Sequence, residues 1–165
     1  MNIETERLII KPLTLDDAQR FSEYRDKEEV AMYQSWDEYP LNKAICRIEY
    51  CQKHPFHGQI GNYQFGLYLK ENNQLIGDIF IEIDGHTTFT LGYTLDSVYW
   101  SKGYASEALK SVFKAMHETY SFKICLCHVY EDNIKSIKLL ERNGFDKIHK
   151  SWFYQDVLYR KMLNK

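Results

Sequence analysis

The hydrophobic period of this chain changes at about residue 100, and that change constrains the fold more than any other feature. From Tyr63 to Leu95 apolar residues alternate with polar ones, whereas from Ala105 to Met116 they recur at spacings of three and four. A period of two marks strands with one buried face; a period near 3.6 marks an amphipathic helix. The junction reads Tyr-Trp-Ser-Lys-Gly-Tyr-Ala-Ser-Glu-Ala-Leu over Tyr99–Leu109, with Ser101, Gly103, Ala105 and Ser106 all small. A strand ending before this segment and a helix starting inside it leave unpaired backbone N–H groups at the positive end of the helix. A phosphate or pyrophosphate needs that arrangement, although a tight turn that uses Gly103 for geometry alone would look the same.

The strands that precede the junction are Tyr63–Lys70, Leu75–Ile83 and Thr87–Leu95, joined by Glu71–Gln74 and Asp84-Gly85-His86 as turns. They predict an antiparallel meander. Ile79, Ile81 and Ile83 share one face of the middle strand, and Asp78, Phe80 and Glu82 share the other. Upstream lie a strand over Arg7–Lys11 and a helix capped by Thr14 and running to about Arg25. A helical region over Glu28–Tyr33 and a helix over Leu41–Gln52 follow. Downstream, the helix Gly103–Glu118 leads to a strand over Lys123–Tyr130. A helix then starts at Asn133, with Ile134, Ile137 and Leu140 inward, and ends in a left-handed cap at Asn143-Gly144. Phe145–Lys150 and Gln155–Leu163 close the chain as a strand pair. The expected class is α/β in the α+β sense. One domain spans residues 1–165, with a mixed, mostly antiparallel sheet flanked by helices, and Thr87–Leu95 lies parallel and close to Lys123–Tyr130.

Composition bounds the partners. A net charge of −2 without a Lys/Arg-rich face gives no nucleic-acid footprint. No apolar run is long enough to span a membrane, and the charged N-terminus lacks the core of a signal peptide, so the expected location is cytoplasmic. The 13 tyrosines fit ordinary half-buried packing or an aromatic-lined pocket. Cys46, Cys51, Cys125 and Cys127 form no CxxC pair, and a strand points Cys127 and His128 to opposite faces. Buried thiols and no metal are the expectation.

The junction is neither a GxxxxGK loop nor a GxGxxG fingerprint, which disfavours nucleoside triphosphates and NAD. The segment Glu131–Phe145 alone reads as a capped helix. Together, the two segments resemble the GNAT superfamily of acetyl-CoA-dependent N-acetyltransferases, and the resemblance covers nearly the whole chain. The opening Glu4-Thr5-Glu6-Arg7-Leu8-Ile9-Ile10-Lys11-Pro12-Leu13, with Leu91-Gly92-Tyr93 and Tyr99-Trp100, resembles the ribosomal-protein N-terminal acetyltransferase (Rim-type) branch. The family's [Gln/Arg]-x-x-Gly-x-[Gly/Ala] motif falls on Trp100-Ser101-Lys102-Gly103-Tyr104-Ala105, with Trp100 at its first position and Ser101 where glycine is common.

The resemblance implies a splayed parallel strand pair at the acetyl-CoA site. It implies that amides of Ser101, Lys102, Gly103, Tyr104 and Ala105 hold the pyrophosphate, with Ser106 adding a hydroxyl and Lys102 a charge. Leu95 would pair with the pantetheine, and Asn133 belongs to the second motif. Many members place a thiolate-protonating Tyr where this chain has Leu140; the Rim-type branch points instead to Ser136. Glu82, on the polar face of its strand, and His128, an imidazole suited to proton transfer near neutral pH, are candidate bases, and the position where the branch often has a glutamate holds Thr90. Trp36, Tyr33 and Tyr39, beside Glu28, Glu29, Asp37 and Glu38, form an expected acceptor rim. The implied reaction is acetyl transfer from acetyl-CoA to a primary amine, foremost a peptide N-terminal amine. An aminoglycoside or other small polyamine is the alternative acceptor, and a non-catalytic CoA-binding regulatory module is the alternative of another class. Dimers are common in the branch, which makes a homodimer an option that these residues do not decide.

Overall fold

The alternation between residues 61 and 95 builds the centre of one twisted sheet. The computed structural model describes residues 1–150 and 156–163. Among the described residues the strands are β1 (Ile3–Glu4), β2 (Leu8–Pro12), β3 (Gly61–Leu69), β4 (Leu75–Ile83), β5 (Thr88–Leu95), β6 (Ile124–Tyr130), β7 (Asp146–Lys150) and β8 (Asp156–Met162). They lie side by side in the order β1-β2-β3-β4-β5-β6-β8-β7, antiparallel throughout except for the parallel pair β5–β6. The meander and the parallel pair are those expected. Strand β1 has no counterpart in the sequence reading, since two residues carry no period. Gln155, expected to open the last strand, lies outside the described residues.

Helices α1 (Ala18–Arg25), α2 (Glu28–Ala31) and α3 (Leu41–Lys53) precede β3, while α4 (Tyr104–Glu118) and α5 (Ile134–Arg142) flank β6 in the chain. The stop of α2 at Ala31 shortens the region expected to reach Tyr33. On one face of the sheet, Ala108, Leu109, Val112, Phe113 and Met116 of α4 join Ile79, Ile81, Ile83, Phe89 and Leu91 in a buried cluster. On the other face, Phe21, Tyr24, Ala44 and Ile48 of α1 and α3 pack with Tyr68 and Leu75. The expected inward set of α5 is only partly realised: Leu140 is buried, whereas Ile134 is 52% exposed.

Two carboxylates hold α1 and α2 against the sheet. Asp78, expected on a polar strand face, is 1% exposed. It accepts two bonds from the Arg25 guanidinium (2.7 and 2.8 Å), one from the Tyr24 hydroxyl (2.6 Å) and one from the Gln64 amide. Trp36 and Tyr39 cover the same guanidinium, 3.8 and 4.3 Å from their ring centroids. These two aromatics, expected at an acceptor rim, therefore belong to this clamp: a buried cation needs a paired anion and a weakly hydrating surround. Asp96, just beyond β5, accepts from Arg20 and Lys27 and anchors the start of α2.

Burial works to raise the Asp96 carboxyl pKa, but its bonds to Lys27 and Arg20 outweigh that and leave it below its ordinary value. A carboxylate with a depressed folded-state pKa contributes stability above its unfolded value of about 3.9, and that contribution is lost as the pH falls through the folded value. Asp96→Asn should therefore cost about 1–3 kcal/mol near pH 7, lowering Tm by roughly 3–10 °C. In thermal melts the gap between the variant and the parent should close as the pH drops below 4. A gap that persisted there would remove the ion pairs as its cause.

Candidate active site

The parallel ladder of β5 and β6 covers only Thr88↔Ile124, Phe89↔Cys125 and Thr90↔Leu126. The phase of β5 is fixed at both ends: the Thr87 carbonyl accepts the Ile124 N–H at 3.0 Å, and the Asp96 N–H reaches the Ile76 carbonyl of the β4 side at 2.9 Å. Strand alternation then turns the N–H and C=O groups of Phe89, Leu91, Tyr93 and Leu95 toward β6. Past Thr90 the ladder stops, so the backbone groups of Leu91, Tyr93 and Leu95 face a gap. A cleft of about 1050 Å³ opens there, bounded by α2, β5, the 99–106 segment, β6 and α5. An extended ligand with its own amides could pair with that edge as a further strand does.

One of these groups is already engaged. The Trp100 indole N–H donates to the Leu95 carbonyl at 2.8 Å, and the Lys135 ammonium lies 4.8 Å above the same ring. Trp100 thus closes the gap's end, and Leu95 is left with its N–H for a ligand. Next in the chain, Ser101 (φ 61°) and Gly103 (φ 84°) are both left-handed. Ser101 holds a conformation that glycine adopts more easily, which accounts for its place in the motif. The turn delivers the chain into α4 at Tyr104, so the first turn of that helix, whose amides have no partner within the helix, lines the cleft with Gly103, Tyr104, Ala105 and Ser106.

Ser106 is tied from α5: the Asn143 amide donates to its oxygen (3.0 Å) and to the Leu139 carbonyl (2.8 Å). An accepting Ser106 oxygen keeps its own proton for another acceptor. The side-chain oxygen of Asn143 is buried and has no hydrogen-bond partner among the described residues. Lys110, Lys135, Lys138 and Arg142 line this end of the cleft and make it attractive to anions. Lys102, expected to add charge, is not among the lining residues; its ammonium lies 5.5 Å from the Tyr99 ring centroid.

Two pairs of titratable groups flank the gap. Asn133 caps α5 by accepting the Ser136 N–H at 3.1 Å. The Ser136 hydroxyl meets the Tyr93 hydroxyl at 2.5 Å instead of turning back on its own helix. Burial pushes the Tyr93 phenol above its ordinary pKa, against the opposing effect of the Ser136 bond, so it stays protonated. On β6, the His128 Nδ1 lies 2.9 Å from Asp156 of β8, and His128 lines the cleft. An Asp at Nδ1 sets the tautomer and leaves Nε2 as the acceptor. Glu82, the other candidate base, is exposed on β4 opposite Thr90 and is not a cleft residue.

The structure thus brings Leu95, Ser101, Gly103, Tyr104, Ala105, Ser106, Asn133, Ser136 and His128 around one cleft, and leaves Lys102 and Glu82 outside it. Tyr93, Asp156 and the Trp100 indole bond were not foreseen as parts of the site. Of the expected acceptor rim, Tyr33 and Glu29 line the cleft, with Met32 and Gln34 beside them. Cys127 is buried and His128 faces the opposite way, and among the described residues no group of three metal-ligating side chains forms. Among those residues, no helix is long and apolar enough to cross a membrane.

Comparison with known proteins agrees with this geometry. Residues 7–146 match the acetyltransferase (GNAT) domain. The chain belongs to that family, and it is an acyltransferase of the N-acetyltransferase class. It is similar to the uncharacterized N-acetyltransferase p20 of Bacillus licheniformis, 29% identical over 146 residues that cover 87% of this chain and 81% of that protein. Its fold is similar to a GNAT-family acetyltransferase from Bacillus anthracis, with a TM-score of 0.85, 20% identity and 99% of each chain covered. It is also similar to Mycobacterium smegmatis RimJ in complex with CoA-disulfide, with a TM-score of 0.80, 17% identity, and 94% of this chain and 81% of that one covered. A third similar fold is the ribosomal-protein-S5-alanine acetyltransferase of Vibrio fischeri, with a TM-score of 0.75, 18% identity, and 99% and 97% coverage.

The Asp156 contact is directly testable. Imidazole ¹⁵N spectra should show the uncharged His128 ring protonated at Nδ1. In Asp156→Ala the proton should redistribute toward Nε2. An unchanged tautomer would mean that Asp156 does not set it.

Proposed function

We propose that this enzyme transfers the acetyl group of acetyl-CoA to a primary amine, foremost a peptide N-terminal amine. The observation that carries the donor is the open edge of β5, with backbone groups of Leu91, Tyr93 and Leu95 facing a gap that ends at a left-handed turn and a helix N-terminus. The edge suits the amides of a pantetheine arm, and the 101–106 amides suit a pyrophosphate. Ser106 adds a hydroxyl, and Lys110, Lys138 and Arg142 supply charge for the remaining phosphate. The family and the CoA-bound RimJ neighbour support the same donor.

When bound, acetyl-CoA supplies the thioester. His128 Nε2 accepts the proton that the incoming ammonium must lose, while Asp156 holds the ring. An α-amine, with a pKa of about 7.7–8.0, needs less help than a lysine amine near 10.4, so one histidine suffices for it. A β5 N–H facing the gap donates to the oxygen that gains charge during attack. As the C–N bond forms, the nitrogen turns cationic and must shed a second proton; as the C–S bond breaks, the Tyr93–Ser136 hydroxyl pair passes that proton on to the departing sulfur and ends protonated itself, standing in for the side chain that Leu140 does not provide. The thiolate is a fair leaving group, since free thiols have pKa values of about 8.5. The alternative of a CoA-binding module without turnover is disfavoured by the presence of both proton-handling pairs in one cleft. The names of the Rim-type neighbours support a peptide acceptor.

Thiol release with acetyl-CoA and a panel of peptides, polyamines and aminoglycosides tests the reaction. Turnover should be fastest with a peptide α-amine; preference for an aminoglycoside would replace the acceptor, and CoA binding without any turnover would support the regulatory module. His128→Ala should lower kcat by roughly 10²–10⁴-fold with CoA affinity retained. Gly103→Glu should abolish CoA binding, and normal affinity in that variant would exclude the turn from the donor site. Ser136→Ala should slow turnover more than it weakens CoA binding, and an unchanged rate would remove Ser136 from the proton path.

A further inference from the structure

The opening Thr5-Glu6-Arg7-Leu8 takes no part in the reaction described above, yet it reaches the turn that precedes α4. Glu107 stands in the first turn of α4. Its carboxylate accepts from the Thr5 hydroxyl, the Arg7 backbone N–H at 2.8 Å and the Arg7 Nε at 2.7 Å. The same guanidinium donates through Nη1 to the carbonyl of Lys102 at 3.0 Å and lies 4.4 Å from the centroid of the Tyr104 ring. Its remaining nitrogen, Nη2, is 3.3 Å from where a Cβ on Gly103 would lie. Residues 102, 104 and 107 are therefore all held by one side chain from the far end of the sheet, which also lies close behind Gly103.

From this geometry we propose that Arg7 is a positioning residue for the donor loop: it presets the 101–106 turn from behind, so that its amides already point into the cleft when the donor arrives. The inference rests on the acetyl-CoA reading. Its physical basis is the pair of left-handed residues. Ser101 holds a left-handed conformation that a serine in a free loop would leave, Gly103 has many others open to it, and a turn that must reorder on binding loses affinity to that ordering. Capturing the Lys102 carbonyl between them stops the peptide planes from rotating. The planar fork is what the task requires, since one group must reach a carboxylate and a carbonyl at once. A lysine can reach one or the other. The bonds from Thr5 and Arg7 keep Glu107 ionised: burial works to raise its pKa, but these partners more than offset it and leave it below its ordinary value.

The test compares the full-length protein with Arg7→Lys and Arg7→Gln, using CoA as the titrant and acetyl-CoA with the best amine of the panel as substrates. Arg7→Lys keeps a charge beside Glu107, so it should melt close to the parent. It should nevertheless raise the Kd for CoA and the KM for acetyl-CoA roughly tenfold, with kcat and the amine KM within twofold. Hydrogen exchange at the 101–106 amides should be faster in both variants before CoA is added and similar to the parent afterwards. A parent that binds CoA and an Arg7→Lys variant that binds it equally well, with unchanged exchange, would overturn the proposal alone. A parent with no CoA affinity would overturn the donor reading and this proposal with it. If Arg7→Gln fails to fold, the Arg7→Lys comparison decides.

Discussion

Everything at the site follows from β5 having a hydrogen-bonding partner on both sides for only part of its length. Backbone groups in a sheet interior are almost always paired, so a strand that turns three residues toward an open gap is leaving them for something else. The ladder to β6 ends at Thr90, and from there the N–H and C=O groups of Leu91, Tyr93 and Leu95 face the cleft. Strand phase does the rest. The side chains of these residues alternate onto the α4 face, which is why the Tyr93 hydroxyl arrives beside Ser136, while the intervening Gly92 and Thr94 face the acceptor side.

The remaining architecture keeps that gap open and correctly furnished. On one side the Asp78 and Asp96 clusters pin α1 and α2 to β4 and to the end of β5, and so fix Glu29 and Tyr33 at the mouth. On the other side α4 is buried through Leu109, Val112 and Met116, each at most 2% exposed. The helix cannot slide without breaking that packing, so its N-terminus stays at the end of the cleft. The Trp100 indole bond to Leu95 then joins strand to turn, and Asn143 joins α5 to the start of α4. Each link uses a polar group that burial obliges to find a partner.

The fold was legible because its long elements are strongly periodic. The β3–β5 meander, α4 and the parallel β5–β6 pair all follow from apolar spacing and right-handed connectivity. The donor turn was legible too, since Gly103 and the small residues near it have few structural uses together. Pairings between residues distant in sequence were not. Alternation placed Asp78 on the strand face it shares with Phe80 and Glu82 but not in a buried ion pair, because Arg25, 53 residues away, gives no local sign of meeting it. Trp36 and Tyr39 read as an acceptor rim for the same reason. The type of residue at 128 suggests a base, but nothing local to it points to Asp156 at its Nδ1, and in sequence Glu82 is an equal candidate, which only its place outside the cleft separates from His128. Ile134 fits the helical stripe of α5 yet is exposed, because the first turn of that helix borders the cleft and not the core.

The most direct measurement is a crystal structure of the protein with CoA. The pantetheine arm should lie in the gap between β5 and β6, hydrogen-bonded to β5 backbone groups, with the pyrophosphate on the amides of residues 101–106 and the sulfur beside Tyr93 and Ser136. The turn should keep the positive φ angles of Ser101 and Gly103. CoA bound elsewhere, or a β5 that had to re-pair before admitting it, would contradict the role assigned here to the open edge.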